Sequence, residues 1–148
     1  MKLQTRNFGE IDFNEQAIIT FENGIPGFNE LKKYILIEDQ EENSPFSYLQ
    51  SVEDGNISFI LANPYTFKKD YRAEIKEEYV AALGGGSVED FSIYVIVTLQ
   101  ESIETATLNL LAPIILQAHT KKAKQVILEH SGYTTRHKLL ELLNEERG

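Results

Sequence analysis

The chain contains no cysteine. Disulfide staples, zinc ribbons and thiol nucleophiles are therefore excluded, and the cytoplasm is the expected compartment. Long apolar runs are missing too. The richest stretch, residues 93–99, has the length of a strand and falls far short of the ~20 residues of a membrane span. The N-terminal Met1-Lys2-Leu3-Gln4-Thr5-Arg6 turns polar where a signal peptide would carry its apolar segment, so neither export nor membrane insertion is expected. Basic residues are scarce. Fourteen Lys plus Arg against 23 Asp plus Glu leave a net charge of −9, which sets a repulsive field against a nucleic-acid backbone. Direct nucleic-acid binding is disfavoured.

What remains is an ordinary globular composition, with 42% hydrophobic and 25% charged residues over 148 positions. That length suits one domain, 1–148, able to bury ~70% of the surface its unfolded form would expose. Short β-like runs dominate: 1–5, 11–13, 17–21, 34–37, 46–50, 57–62, 91–99, 105–108, 114–116 and 125–128. In the run 91–99, Phe91, Ile93, Val95, Val97 and Leu99 share one face while Ser92, Tyr94 and Thr98 occupy the other, the period of a half-buried strand. All four prolines lie between or at the ends of runs. The expected fold is all-β, mainly antiparallel: a small barrel-like domain, with a sandwich as the neighbouring possibility, spanning about 2–128.

Two short helices complete the expectation. Residues 74–83 place Ile75, Tyr79 and Leu83 on one stripe and stop at Gly84. The second, about 135–146, starts at Thr135 as N-cap and carries Leu139, Leu142 and Leu143, a stripe expected to pack on the barrel or on a partner. Gly84-Gly85-Gly86-Ser87 leads from helix to strand, the wrong order for a phosphate cradle, and reads as a flexible connector.

Chemistry is poorly represented. His119, His130 and His137 lack metal-ligand spacing, no Gly-x-Ser-x-Gly elbow occurs, and adjacent carboxylates such as Glu77-Glu78 read as solvated surface. No metal, no cofactor and no enzymatic activity are expected. Charge patterning is more informative. Residues 34–67 carry Glu38, Asp39, Glu41, Glu42, Glu53 and Asp54 without a Lys or Arg. Such one-signed surface serves solubility or steers a basic partner, and composition does not choose between them. Aromatics also gather at turns. Asn63-Pro64-Tyr65-Thr66-Phe67 through Tyr71, and Gly24-Ile25-Pro26-Gly27-Phe28, either plug the core or form an interaction surface.

Three stretches resemble the family of flagellar assembly factors called FliW. They are Phe21-Glu22-Asn23-Gly24-Ile25-Pro26-Gly27-Phe28; Phe59-Ile60-Leu61-Ala62-Asn63-Pro64 with Asp70-Tyr71; and Asn109-Leu110-Leu111-Ala112-Pro113-Ile114-Ile115 leading to Gln125-Val126-Ile127-Leu128. Their order and separation match over nearly the whole chain, from Lys2 to about Leu128. Two features depart from the pattern: Gln117 stands where asparagine is expected, and the glycine patch at 84–86 is an unusual connector.

The resemblance implies a cytoplasmic protein-binding adaptor, a chaperone that binds flagellin and also binds CsrA, a basic RNA-binding translational repressor, so coupling flagellin synthesis to flagellum assembly. The isolated chain is expected to be a monomer. An apolar groove rimmed by polar groups is expected to receive flagellin's unpaired terminal segments, with Phe28, Asn63, Pro64, Phe67, Asp70, Tyr71 and Asn109 as candidates. The carboxylates Glu38, Asp39, Glu41 and Glu42 are assigned to the repressor. The alternative is a barrel binding a small ligand or single-stranded nucleic acid on aromatic platforms.

Overall fold

A computed structural model describes residues 1–147. Its strands are β1 (Lys2–Thr5), β2 (Gly9–Asp12), β3 (Ile19–Phe21), β4 (Lys33–Glu38), β5 (Phe46–Ser51), β6 (Ser58–Ala62), β7 (Phe91–Thr98), β8 (Thr107–Leu108), β9 (Ile114–Gln117), β10 (Lys122–Gln125) and β11 (His137–Lys138). Its α-helices are α1 (Pro64–Phe67), α2 (Glu77–Ala82) and α3 (Leu139–Arg147).

Seven strands close into a barrel in the order β7-β6-β5-β4-β3-β10-β9, with β9 returning to β7. Around a ring of seven, strand directions cannot alternate throughout. At least one neighbouring pair must run parallel, and here it is β3 with β10, which pair only through Thr20 opposite Lys122 and Phe21 opposite Ala123. The other six pairings of the ring are antiparallel. The expected barrel is thus realised, and mainly antiparallel.

Side-chain alternation sorts the apolar residues into two cores. Ile19, Phe21, Tyr34, Leu49, Leu61, Ile114, Leu116 and Ala123, with Tyr94 and Ile96, come from all seven ring strands and fill the interior. The residues between them, Ala62, Val95, Val97 and Ile115, face outward and are covered by Phe67, Tyr71, Leu83, Leu139 and Leu142. β7 is therefore clad on both faces, whereas the sequence suggests a half-buried strand; the helical layer seals its outer side. Leu99 lies past the strand end and is exposed.

The C-terminal helix is docked through Leu139 and Leu142, each burying about 2 kcal/mol of apolar side chain. It begins at Leu139, not near Thr135, because the chain first forms β11 against β8. The other expected helix starts at Glu77, so Ile75 lies before it. α1 is additional to the two expected helices. Asn63 caps it by accepting the Tyr65 N–H at 3.0 Å, with Pro64 at the first helical position, where its missing N–H costs nothing. The β1–β2 hairpin pairs only with itself and stands outside the ring. The run 17–21 divides, its start belonging to a 3₁₀ turn over Glu15–Ala17. The run 125–128 lies three residues late: β10 starts at Lys122 and ends at Gln125, and residues 126–128 only extend it.

Gly84–Gly86 is a built feature and not a slack connector. All three glycines have positive φ, and a Cβ on Gly86 would stand 2.7 Å from Gln117 Nε2 and 2.8 Å from Asp90 Oδ2.

Candidate protein-binding cleft

Two extended segments form the walls of a wide cleft on the outer layer. The first leaves α1 and is pinned where the Tyr71 hydroxyl donates to Leu110 O at 2.7 Å and the Arg72 N–H donates to the Tyr133 hydroxyl at 3.0 Å. It then runs extended to Lys76, which opens α2. The second continues β10. Val126 and Leu128 are buried and donate their amides to Pro113 O and Leu111 O at 2.9 and 2.8 Å. Period two then turns Ile127 outward, 61% exposed. His130 and Gly132, both at positive φ, bend the chain back to Tyr133.

Between the walls lies a space of about 790 Å³ lined by Tyr65, Arg72, Lys76, Tyr79, Ile127 and Tyr133 among others. Behind two of its lining residues, Tyr65 and Tyr133, runs an aromatic ladder that passes through the core residue Tyr71. Tyr65 meets Tyr71 edge-on at 5.8 Å, Tyr71 meets Tyr133 at 4.9 Å, and Tyr133 meets His137 at 6.0 Å between ring centroids. Burial, reinforced by Tyr133 and Tyr65, pushes the Tyr71 hydroxyl well above the usual tyrosine range, so it stays a hydrogen-bond donor. Lys76 Nζ sits 5.9 Å from the Tyr79 ring centroid, at the outer range of a cation–π contact. The lining thus combines apolar ring faces with the charged side chains of Arg72, Glu74, Lys76 and Glu129.

The residues singled out from sequence do not share this cleft. Pro64, Phe67 and Tyr71 are core residues of the outer layer. Asn63 is spent on capping α1, and Asn109 accepts the Ala112 N–H at 3.0 Å within a turn. Asp70 is exposed beside Lys68, 3.2 Å away. Phe28 lies in another place, half-exposed with its ring edge-on to Phe59 at 5.2 Å, on the side of the barrel interior. The signals that would have found the cleft were present: Tyr65 stood among the turn aromatics, and Ile127 in the third motif. Tyr79 reads from the sequence as a helix-stripe residue, and Tyr133 lies beyond the three stretches that carry the resemblance.

The acidic residues fall at the β4–β5 turn. Asp39 accepts the Ser44 hydroxyl at 2.8 Å and so organises the turn, while Glu38, Glu41 and Glu42 are exposed. Burial and the carboxylates of Asp39 and Glu41 raise the pKa of neighbouring Tyr48. Glu53 is different in kind. It accepts the backbone amides of Lys32 and Lys33, which hold its carboxyl below the usual range, so it fastens a turn instead of presenting charge.

Comparison with known proteins agrees with this architecture. The family described as FliW protein matches residues 2–139. The chain is 45% identical over 143 residues to the flagellar assembly factor FliW of Caldanaerobacter subterraneus subsp. tengcongensis, covering 97% of this chain and 95% of that one. It is 40% identical over 137 residues to the protein of the same description from Bacillus subtilis, covering 93% and 95%. A crystal structure of the flagellar assembly factor FliW superposes with a TM-score of 0.86 at 34% identity, covering 94% of this chain and 96% of that one.

Proposed function

This chain belongs to the FliW family of flagellar assembly factors, and on that premise we propose that it is a cytoplasmic adaptor that binds flagellin and antagonises the translational repressor CsrA. The observation that carries the reading is the open, tyrosine-lined cleft on the outer face of a filled barrel. Its output is occupancy: flagellin bound leaves the repressor free, and flagellin exported leaves the adaptor free to hold the repressor. No bond is made or broken.

The exposed carboxylates Glu38, Glu41 and Glu42 suit the repressor, whose RNA-binding surface is basic. An acidic block docked beside that surface gains attraction and repels phosphates. The small-ligand alternative loses ground because apolar side chains from all seven strands occupy the barrel interior. Charge weighs against single-stranded nucleic acid.

Calorimetry with purified flagellin and purified CsrA from the same organism tests the proposal. A 1:1 complex with flagellin is expected, together with loss of CsrA binding when flagellin is added first. Absence of heat and of co-elution with both proteins would overturn it.

A further inference from the structure

The ring's parallel seam leaves an edge unpaired. β3 covers β10 only at Lys122 and Ala123, then turns away through Glu22–Gly24, so nothing in the barrel pairs with the outer edge of the chain from Gln125 onward. The amides of Val126 and Leu128 point inward to Pro113 and Leu111. That of Ile127 points the other way and has no hydrogen-bond partner among the described residues; its carbonyl accepts the Glu129 N–H at 3.1 Å. The edge thus offers a donor beside an exposed apolar side chain.

Three hollows run together along this edge. One of about 180 Å³ lies between Gly24, Pro26 and Lys124; a second of about 350 Å³ shares Lys124 and Gln125 with it. That second hollow shares Tyr79 and Ile127 with the large cleft. α2 flanks the whole trough, from Ala82 to Tyr79, without burying a residue of its own. The first and third stretches that carry the family resemblance meet here, as Glu22–Pro26 and Gln125–Leu128.

From this geometry we infer that the trough takes an extended polypeptide segment as an added strand, hydrogen-bonded at the Ile127 amide with alternate apolar side chains facing Ile127 and the tyrosines. An unpaired strand edge is a template for such pairing, with main-chain bonds supplying affinity and pockets supplying choice of side chain. Charge selects the occupant. Arg72, Lys76 and Lys124 offset the carboxylates of the trough, which makes it nearly neutral on a chain of net −9. An apolar, weakly charged strand fits; a basic surface has a better site at the β4–β5 turn. On the adaptor reading, from which this inference takes its partner, the occupant is a segment of flagellin.

The test is amide hydrogen exchange by NMR on the full chain, alone and with saturating flagellin, joined to the variant Ile127→Pro. Proline removes the amide at a position where nothing inside the fold uses it. Binding should slow exchange at Ile127 by about tenfold or more, and Ile127→Pro should weaken flagellin binding by about tenfold. A complex that forms with the Ile127 amide exchanging at its free rate would overturn the inference and leave the adaptor reading standing. So would protection by CsrA but not by flagellin. Failure of the unaltered chain to bind flagellin at all would remove the adaptor reading itself. Should Ile127→Pro not fold, exchange in the unaltered chain decides alone.

Discussion

Gln117 donates its side-chain amide to Gly85 O at 2.8 Å, and its carbonyl accepts the amides of His119 and Thr120 at 2.6 and 3.3 Å. The two departures from the family pattern are therefore one structure: a longer side chain reaching a glycine carbonyl that closes α2. Thr120 adds a second tie, its hydroxyl donating to Leu83 O at 2.7 Å. Since α2 buries none of its residues, these bonds hold its C-terminal end beside the trough.

Gln117→Ala should cost about 2–3 kcal/mol, because it removes a buried amide and orphans three backbone groups. Gln117→Asn, one methylene shorter, should recover the β9–β10 turn but not the reach to Gly85. Urea midpoints for the two variants give the ranking, and equal stability of all three chains would dissolve the link.

Tyr71→Phe separates core from cleft. The hydroxyl is buried and bonded to Leu110 O, so its loss should lower stability by about 1–2 kcal/mol while leaving partner affinity nearly unchanged. Tyr65→Ala, on a residue 39% exposed that lines the cleft, should weaken partner affinity by more than it lowers stability. Thermal melts and calorimetry on both variants read the contrast.

His137 sets a pH dependence. Its Nε2 accepts the Thr134 N–H at 2.9 Å, which requires that nitrogen unprotonated. Burial, then the Lys68 ammonium, hold its pKa below the ordinary 6.5, with Glu145 opposing. The folded state thus binds this proton less readily than the unfolded chain. The stability it contributes is complete above about pH 6.5 and is lost as pH falls through the folded value. The melting temperature should drop between about pH 7.5 and pH 5.5, and His137→Gln should flatten that slope. An equally steep profile in the variant would place the titration elsewhere.

Leu142→Ala should cost about 2–4 kcal/mol as a core truncation, and Leu140→Ala, on a residue 41% exposed, under about 1 kcal/mol. Equal and small effects would mean that α3 is not docked in solution.

Glu41→Gln with Glu42→Gln should slow association with CsrA and reduce its salt dependence, without altering flagellin affinity. Both side chains are exposed at the β4–β5 turn, so stability should hold within about 0.5 kcal/mol. Stopped-flow association across a salt series measures this. A salt slope unchanged by the double substitution would detach the acidic turn from the repressor.

Strands were legible wherever alternation and turn residues coincided, as in β5, β6 and β7. Helix starts were not. Thr135 has the chemistry of an N-cap, but residues 137–138 are drawn into pairing with Thr107 and Leu108, a contact from 30 residues upstream. Asn63-Pro64 carries the capping chemistry of α1, but the aromatics that follow read equally as core plugs. For the site, the acidic turn was visible as a run of one sign. The cleft was not, because Tyr65, Tyr79, Ile127 and Tyr133 come from four separate segments.

By itself the sequence determined the β class, the places where the chain turns, and the acidic surface, since these depend on residues close to one another along the chain. Tertiary structure decided which apolar residues are spent on the core and which stay available, as the different fates of buried Tyr71 and exposed Tyr65 illustrate. It also decided where the ring fails to pair with itself. With seven strands one seam must run parallel, and that seam joins residues about a hundred positions apart, a separation that no local pattern encodes.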